Sequence, residues 1–168
     1  MQHPLSVVGR MAEVLMGRRG SVVWRMLVFA ASASIMASCA THHDERDTAD
    51  LEYDAWRRTR PDRYRFTYRM MAFTPVAGIR FEAHVEGDAL RGVVPLDALP
   101  PELVQTVKHY TVDDLFKEVR HAYDVGAFHV EVSFDSTYHY PKSLDVDLNE
   151  RVADDEWSIE ILDFAVER

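Results

Sequence analysis

The stretch RYRFTYRM, residues 63–70, alternates without a break: Tyr64, Phe66, Tyr68 and Met70 fall on one side, Arg63, Arg65, Thr67 and Arg69 on the other. A period of two suits a strand and not a helix, because successive side chains of an extended chain point to opposite faces. One apolar and one charged face mean a sheet with a dry side and a wet side, the habit of antiparallel sheets. GIRFEAHVEGDALRGVV repeats the pattern, with Ile79, Phe81, Ala83 and Val85 inward and Arg80, Glu82, His84 and Glu86 outward. Gly87-Asp88 reads as the tight turn into a third strand at Leu90 to Val94, which makes an antiparallel meander.

Two segments carry the helical period instead. TADLEYDAWRRTRP spaces Leu51, Ala55 and Trp56 along one face, with Thr48 or Asp50 as the starting cap and Pro61 as the stop. TVDDLFKEVRHAYDVG opens with Thr111 as N-cap and Asp114 three residues on. It sets Leu115, Phe116, Val119, Ala122 and Tyr123 on one face and closes at Gly126. AFHVEVSFD, SLDVDL and EWSIEILDFAV then alternate as strands. The order helix, strands, helix, strands predicts an α+β fold: an antiparallel sheet of meander hairpins with two main helices packed on one face, in a single domain over residues 48–168.

Upstream, residues 26–38, MLVFAASASIMAS, form an apolar and small-residue run preceded by Arg18, Arg19 and Arg25 and followed by the polar THHDERDTAD. A helix that crosses a bilayer needs roughly 20 apolar residues, so 13 suit a signal peptide over residues 1–38 better than a membrane span. The run ends at Cys39, the single cysteine of the chain, which excludes an internal disulfide framework and any zinc site of several thiolates. Met36, Ala37 and Ser38 before it resemble a bacterial lipobox, with Met where Leu is usual. On that reading Cys39 becomes the first mature residue and carries the lipid, and residues 39–47 tether it to the domain. The alternatives are a cysteine inside a membrane-anchor helix and a secreted protein with an ordinary cleavage site. Ala40 after the cysteine favours the periplasmic face of the outer membrane if the envelope has two membranes.

Residues 1–38 hold four of the 19 bases and one of the 28 acids, so the rest carries 15 bases against 27 acids. Such a surface repels nucleic acid, and a DNA or RNA partner is not expected.

The helix with Trp56, the YRFTY strand, TVDDLF, SFDSTYHYPKSLDVD and DDEWSIEI together resemble a family of small bacterial lipoproteins and secreted proteins that share a domain of unknown function, over roughly residues 50–166. Its later half tends to read Tyr-Asp, then Gly-Tyr-Pro, an apolar residue and Asp, then Asp-Asp-Glu. Here Phe134-Asp135, Tyr140-Pro141 with His139 in place of Gly, and Asp154-Asp155-Glu156 stand at those places. Cysteines that many members carry after the first strand are replaced by Met71, Ala72 and Phe73. The resemblance implies a fold and an address and no activity.

Three groups of residues could carry chemistry. In DVDLNERVADDE, Asp145, Asp147, Asn149 and Glu156 have the spacing of EF-hand calcium ligands, with Glu150 where that loop needs Gly; the other reading is an acidic hairpin. Arg63, Arg65 and Arg69 could form a face for an anion or a partner, with Arg57, Arg58 and Arg60 nearby, or could pair with Glu82 and Glu86 across the sheet. His84, His109, His121, His129 and His139 could converge with acids, yet no nucleophile motif or Gly-rich phosphate loop accompanies them. The expectation is a lipid-anchored, non-catalytic binding or structural module of the cell envelope, without a cofactor, whose partner is the membrane through Cys39 together with an envelope protein. The alternative is a calcium-binding envelope domain built on residues 145–156.

Overall fold

The computed structural model describes residues 43–168 apart from 105 and 153, and Glu45–Arg168 form one compact unit. The apolar run, Cys39 and residues 40–42 lie outside the described residues. Helix α1 covers residues 43–59. Then come β1 (Arg63–Ala72), β2 (Arg80–Glu86), β3 (Ala89–Pro95), a single turn α2 (Pro101–Val104), α3 (Val112–Asp124), β4 (His129–Phe134), β5 (Pro141–Asp147) and β6 (Trp157–Val166). All six strands join one antiparallel sheet in the order β3-β2-β1-β6-β5-β4. The fold is mixed α+β. Although helix, three strands, helix, three strands looks like a repeat, β1 is central and its counterpart β4 is an edge, so the two halves are not equivalent copies.

The alternation of β1 is realised: Tyr64, Phe66 and Tyr68 are buried with Phe81, Ala83 and Val85 of β2. Between Thr67 and Tyr68 the pairing with β6 slips by one residue, and Leu162 is left unpaired in the bulge. The hairpin from β2 to β3 turns at Gly87-Asp88, where Gly87 takes φ 60, a left-handed conformation that glycine adopts without Cβ strain. In α3, Asp114 N–H donates to the Thr111 hydroxyl (3.1 Å) and Thr111 N–H to the Asp114 carboxylate (3.0 Å), a reciprocal capping box. All the residues expected on its inner face are buried.

Helix α1 differs from expectation. It is already helical at residue 43, so part of the tether segment is helix, and Thr48 and Asp50 lie inside it rather than capping it. Leu51 is 70 % exposed, and the inward face is Ala49, Tyr53 and Trp56, spaced four and three apart. Trp56, fully buried, meets Tyr64 edge-on at 5.5 Å and Phe164 at 6.1 Å, and Tyr140 stacks on Phe164 at 4.6 Å. Such aromatic pairs add to burial by about 0.5–1.5 kcal/mol each. His139, which stands where the resembled pattern has Gly, adopts φ 68, the backbone that pattern calls for. Its ring Nδ1 lies 2.8 Å from the Glu52 carboxylate. Among the described residues no helix is long and apolar enough to cross a membrane.

Candidate functional site

The wet face of the sheet has two unlike parts. On β1, β2 and β6 each arginine of the stripe meets a carboxylate. Arg63 sits opposite Glu86 and donates Nε and Nη2 to one oxygen at 3.0 and 2.7 Å. Arg65 reaches Glu82 at 2.7 Å with Asp163 at 3.6 Å. Arg69 sits opposite Glu160 and donates to it at 3.0 and 2.7 Å. Of the flanking arginines, Arg60 holds Asp88 and Asp113. Arg63, Arg65 and Arg69 are therefore each engaged with one of the protein's own acids, because cross-strand neighbours of opposite charge lie within reach of one another. Glu86 is held below the usual carboxylate range by the Arg63 guanidinium. Asp97, which accepts from the Arg80 side chain and main-chain N–H, is pulled down to about 2.

At the β4–β5 end the pattern reverses. Across β4 and β5, Glu131 stands opposite Asp145 and His129 opposite Asp147. Like charges directly opposite one another destabilise a sheet. Among the described residues Glu131 has only His129 at 3.9 Å, and no ion pair involves Asp145, Asp147, Asp154 or Glu156. These four acids line one open cavity of about 670 Å³ with His129. Met71, Phe73 and Phe128 form its apolar wall and are 50 %, 80 % and 53 % exposed. A second cavity of about 440 Å³ shares Phe73, Asp154, Glu156 and Trp157, and is lined also by Tyr110. Burial, with Glu118 and Asp114 adding to it, pushes the Tyr110 hydroxyl up to about 12, so it is a donor at neutral pH. Chemically this end can hold a cation beside an apolar or aromatic group.

The acidic hairpin is not folded as a calcium loop. Asp145 and Asp147 belong to strand β5, which spaces them roughly 7 Å apart along the chain. An EF-hand loop instead wraps its ligands around one point. The Asp147 carboxylate accepts from Asn149 N–H (2.9 Å) and the Asn149 side-chain oxygen from Arg151 N–H (3.1 Å), closing two local turns. Among the described residues no group of three His, Cys, Asp or Glu stands together to hold a metal ion. Of the histidines, His121 and His129 line the two cavities that share Asp154 and Glu156, and the others stand apart. His84 sits between Glu82 and Glu167 on β2, and His129 lies on β4, four strands away, roughly 19 Å at ordinary strand spacing. His109 meets the Tyr68 hydroxyl at 2.9 Å on the other face, and His139 meets Glu52.

The apolar wall was legible in part: Met71 and Phe73 continue the outward phase of β1 beyond Arg69, so apolar side chains are carried onto the wet face. Phe128 gives no such signal, since its exposure comes from the turn that follows Gly126. No curated protein and no solved structure matches the chain. A family model described as a family of unknown function (DUF6174) matches residues 48–166, and the chain belongs to that family.

Proposed function

We propose that this protein is a lipid-anchored binding module of the cell envelope, held by a diacylglyceryl group on Cys39, that engages an envelope protein through the acidic end of its sheet and performs no catalysis. The observation that carries the binding half is the concave surface of Asp145, Asp147, Asp154 and Glu156 walled by exposed Met71, Phe73 and Phe128. Several large apolar side chains exposed side by side mark a surface that meets something other than water. The anchor rests on the short apolar run and the small residues before Cys39, and two or three acyl chains at about 0.8 kcal/mol per buried methylene hold firmly. On this reading both helices back the dry face of the sheet and leave the wet face to the partner.

Calcium at Asp145, Asp147, Asn149 and Glu156 is the second reading, favoured by three of these residues lining one cavity. The extended course of β5 ranks it lower. Metabolic labelling of cells with an alkyne fatty acid tests the anchor: the full chain takes up label, Cys39→Ser does not, and an unlabelled full chain overturns it. Melting of the purified protein with calcium and with chelator tests the second reading, which predicts a rise that Asp145→Ala abolishes.

A further inference from the structure

We propose that the free edge of β4 takes up, as a seventh strand, an extended segment of the partner in which basic and apolar residues alternate; this deepens the binding-module reading and rests on it. Phe128 N–H donates to Leu148 C=O, so even-numbered residues of β4 face β5, and His129, Glu131 and Ser133 turn their main-chain N–H and C=O groups away from the sheet. β4 ends the strand order, and none of the hydrogen bonds among the described residues uses those groups. Such an edge is a template for another strand. The other edge is blunted: β3 carries a glycine, ends in Pro95 and is irregular against β2.

Both faces beside β4 are furnished for such a strand. Beside β4 lies a cavity of about 400 Å³ lined by Glu45 and Thr48 of α1, Tyr123 of α3, and residues 129–132 and 134 of β4, whose apolar members Val130, Val132 and Phe134 alternate along the strand. On the wet side Glu131 and Asp145 form a pair that is not hydrogen-bonded through the main chain, the closer of the two antiparallel pair types, with no cation between them. A lysine or arginine of the incoming strand, directly opposite Glu131, supplies the missing charge. The irregularity between Ser133 and Phe134 limits the straight edge to residues 129–133, so the segment is short.

The test uses the full lipidated chain in a neutral detergent and a fluorescent eight-residue peptide alternating Lys and Val, read by anisotropy. Binding is expected, with about tenfold or greater loss in Glu131→Lys and no binding of a peptide alternating Glu and Val. N-methylation of alternate amides should abolish binding in one register and spare it in the other, because only one side of an added strand pairs; this arm leaves the protein unaltered. Equal binding of both methylated peptides, equal binding of the acidic peptide, or no binding overturns the proposal. The mass of the same preparation reports the lipid on Cys39, so failure of the anchor and failure of the edge are read separately.

Discussion

The two ends of the wet face both carry charged side chains and reach opposite electrostatic outcomes. Around β1, cross-strand register sets Arg63 against Glu86 and Arg69 against Glu160; around β5, it sets Glu131 against Asp145. One end is internally neutralised and asks nothing of its surroundings. The other carries four acids without an ion-pair partner among the described residues, beside exposed aromatic side chains. Composition separates them in part, since β1 carries Arg63, Arg65 and Arg69 while β4 and β5 carry Glu131, Asp145 and Asp147; register decides which of these charges meet an opposite one.

Beneath the two ends lie two buried clusters that both pack against Phe134 and Trp157, and the largest effect should come from opening the one around Trp56. Trp56→Ala deletes a fully buried indole that touches β1 and β6, at a cost of about 3–5 kcal/mol. Urea unfolding reads the loss as a lower midpoint at constant slope. Hydrogen exchange then sharpens the comparison: loss of protection in β1–β2 and β4–β5 together means one cooperative core. Loss confined to β1–β2 would mean that the halves differ in depth as well as at the surface.

The next effect belongs to α3, whose first turns join the cluster around Phe66 and Phe116 and whose last turns join that around Val119 and Val146. Thr111→Ala removes the cap and should cost about 1 kcal/mol, with circular dichroism showing earlier melting. An unchanged midpoint would show that packing alone sets the helix start.

A matched pair of charge swaps addresses the surface directly. Asp145→Lys places a cation opposite Glu131 and should stabilise by about 0.2–1 kcal/mol, whereas Glu160→Lys places one opposite Arg69 and should destabilise by a similar amount. Both effects should shrink in salt, since exposed charges are screened over about 10 Å at 0.1 M. Shifts of the same sign would break the comparison.

How much of this was open to a reader of the sequence follows from which facts are local. The period of β1, the capping box at Thr111 and the turn at Gly87-Asp88 are set by residues within a few positions of one another, and each is found as expected. The pairing of the arginine stripe was half visible through Glu82 and Glu86, but Glu160 and Asp163 arrive from a strand more than ninety residues on. The phase of α1 was misjudged at Leu51 because three apolar positions fit either of two overlapping faces, and only Tyr64 and Phe164 choose the one with Trp56 and Ala49. The spacing of Asp145, Asp147 and Glu156 matched a calcium loop in one dimension; the strand that carries the first two removes the wrapping that gives the spacing its meaning. Glu131 opposite Asp145 depends on register alone, which no local signal specifies.

Acid offers the smallest effect and the last check on the neutralised end. The Asp97 carboxylate takes Nε, Nη2 and main-chain N–H bonds from Arg80 and closes the far end of the β2–β3 hairpin. Its pKa in the folded chain is held down to about 2, against about 3.9 in an unfolded one. A depressed folded value means that the contribution is complete above the unfolded pKa and is lost as pH falls through the folded one, so the window runs from about pH 4 to about pH 2. Asp97→Asn should lower the urea midpoint modestly at pH 6, and the gap to the parent should close as pH approaches 2. Asparagine still accepts the main-chain N–H of Arg80 but offers no charge. A gap that persists at pH 2 would therefore assign the contact's value to hydrogen-bond geometry, and the neutralised end would owe its stability to shape rather than to charge.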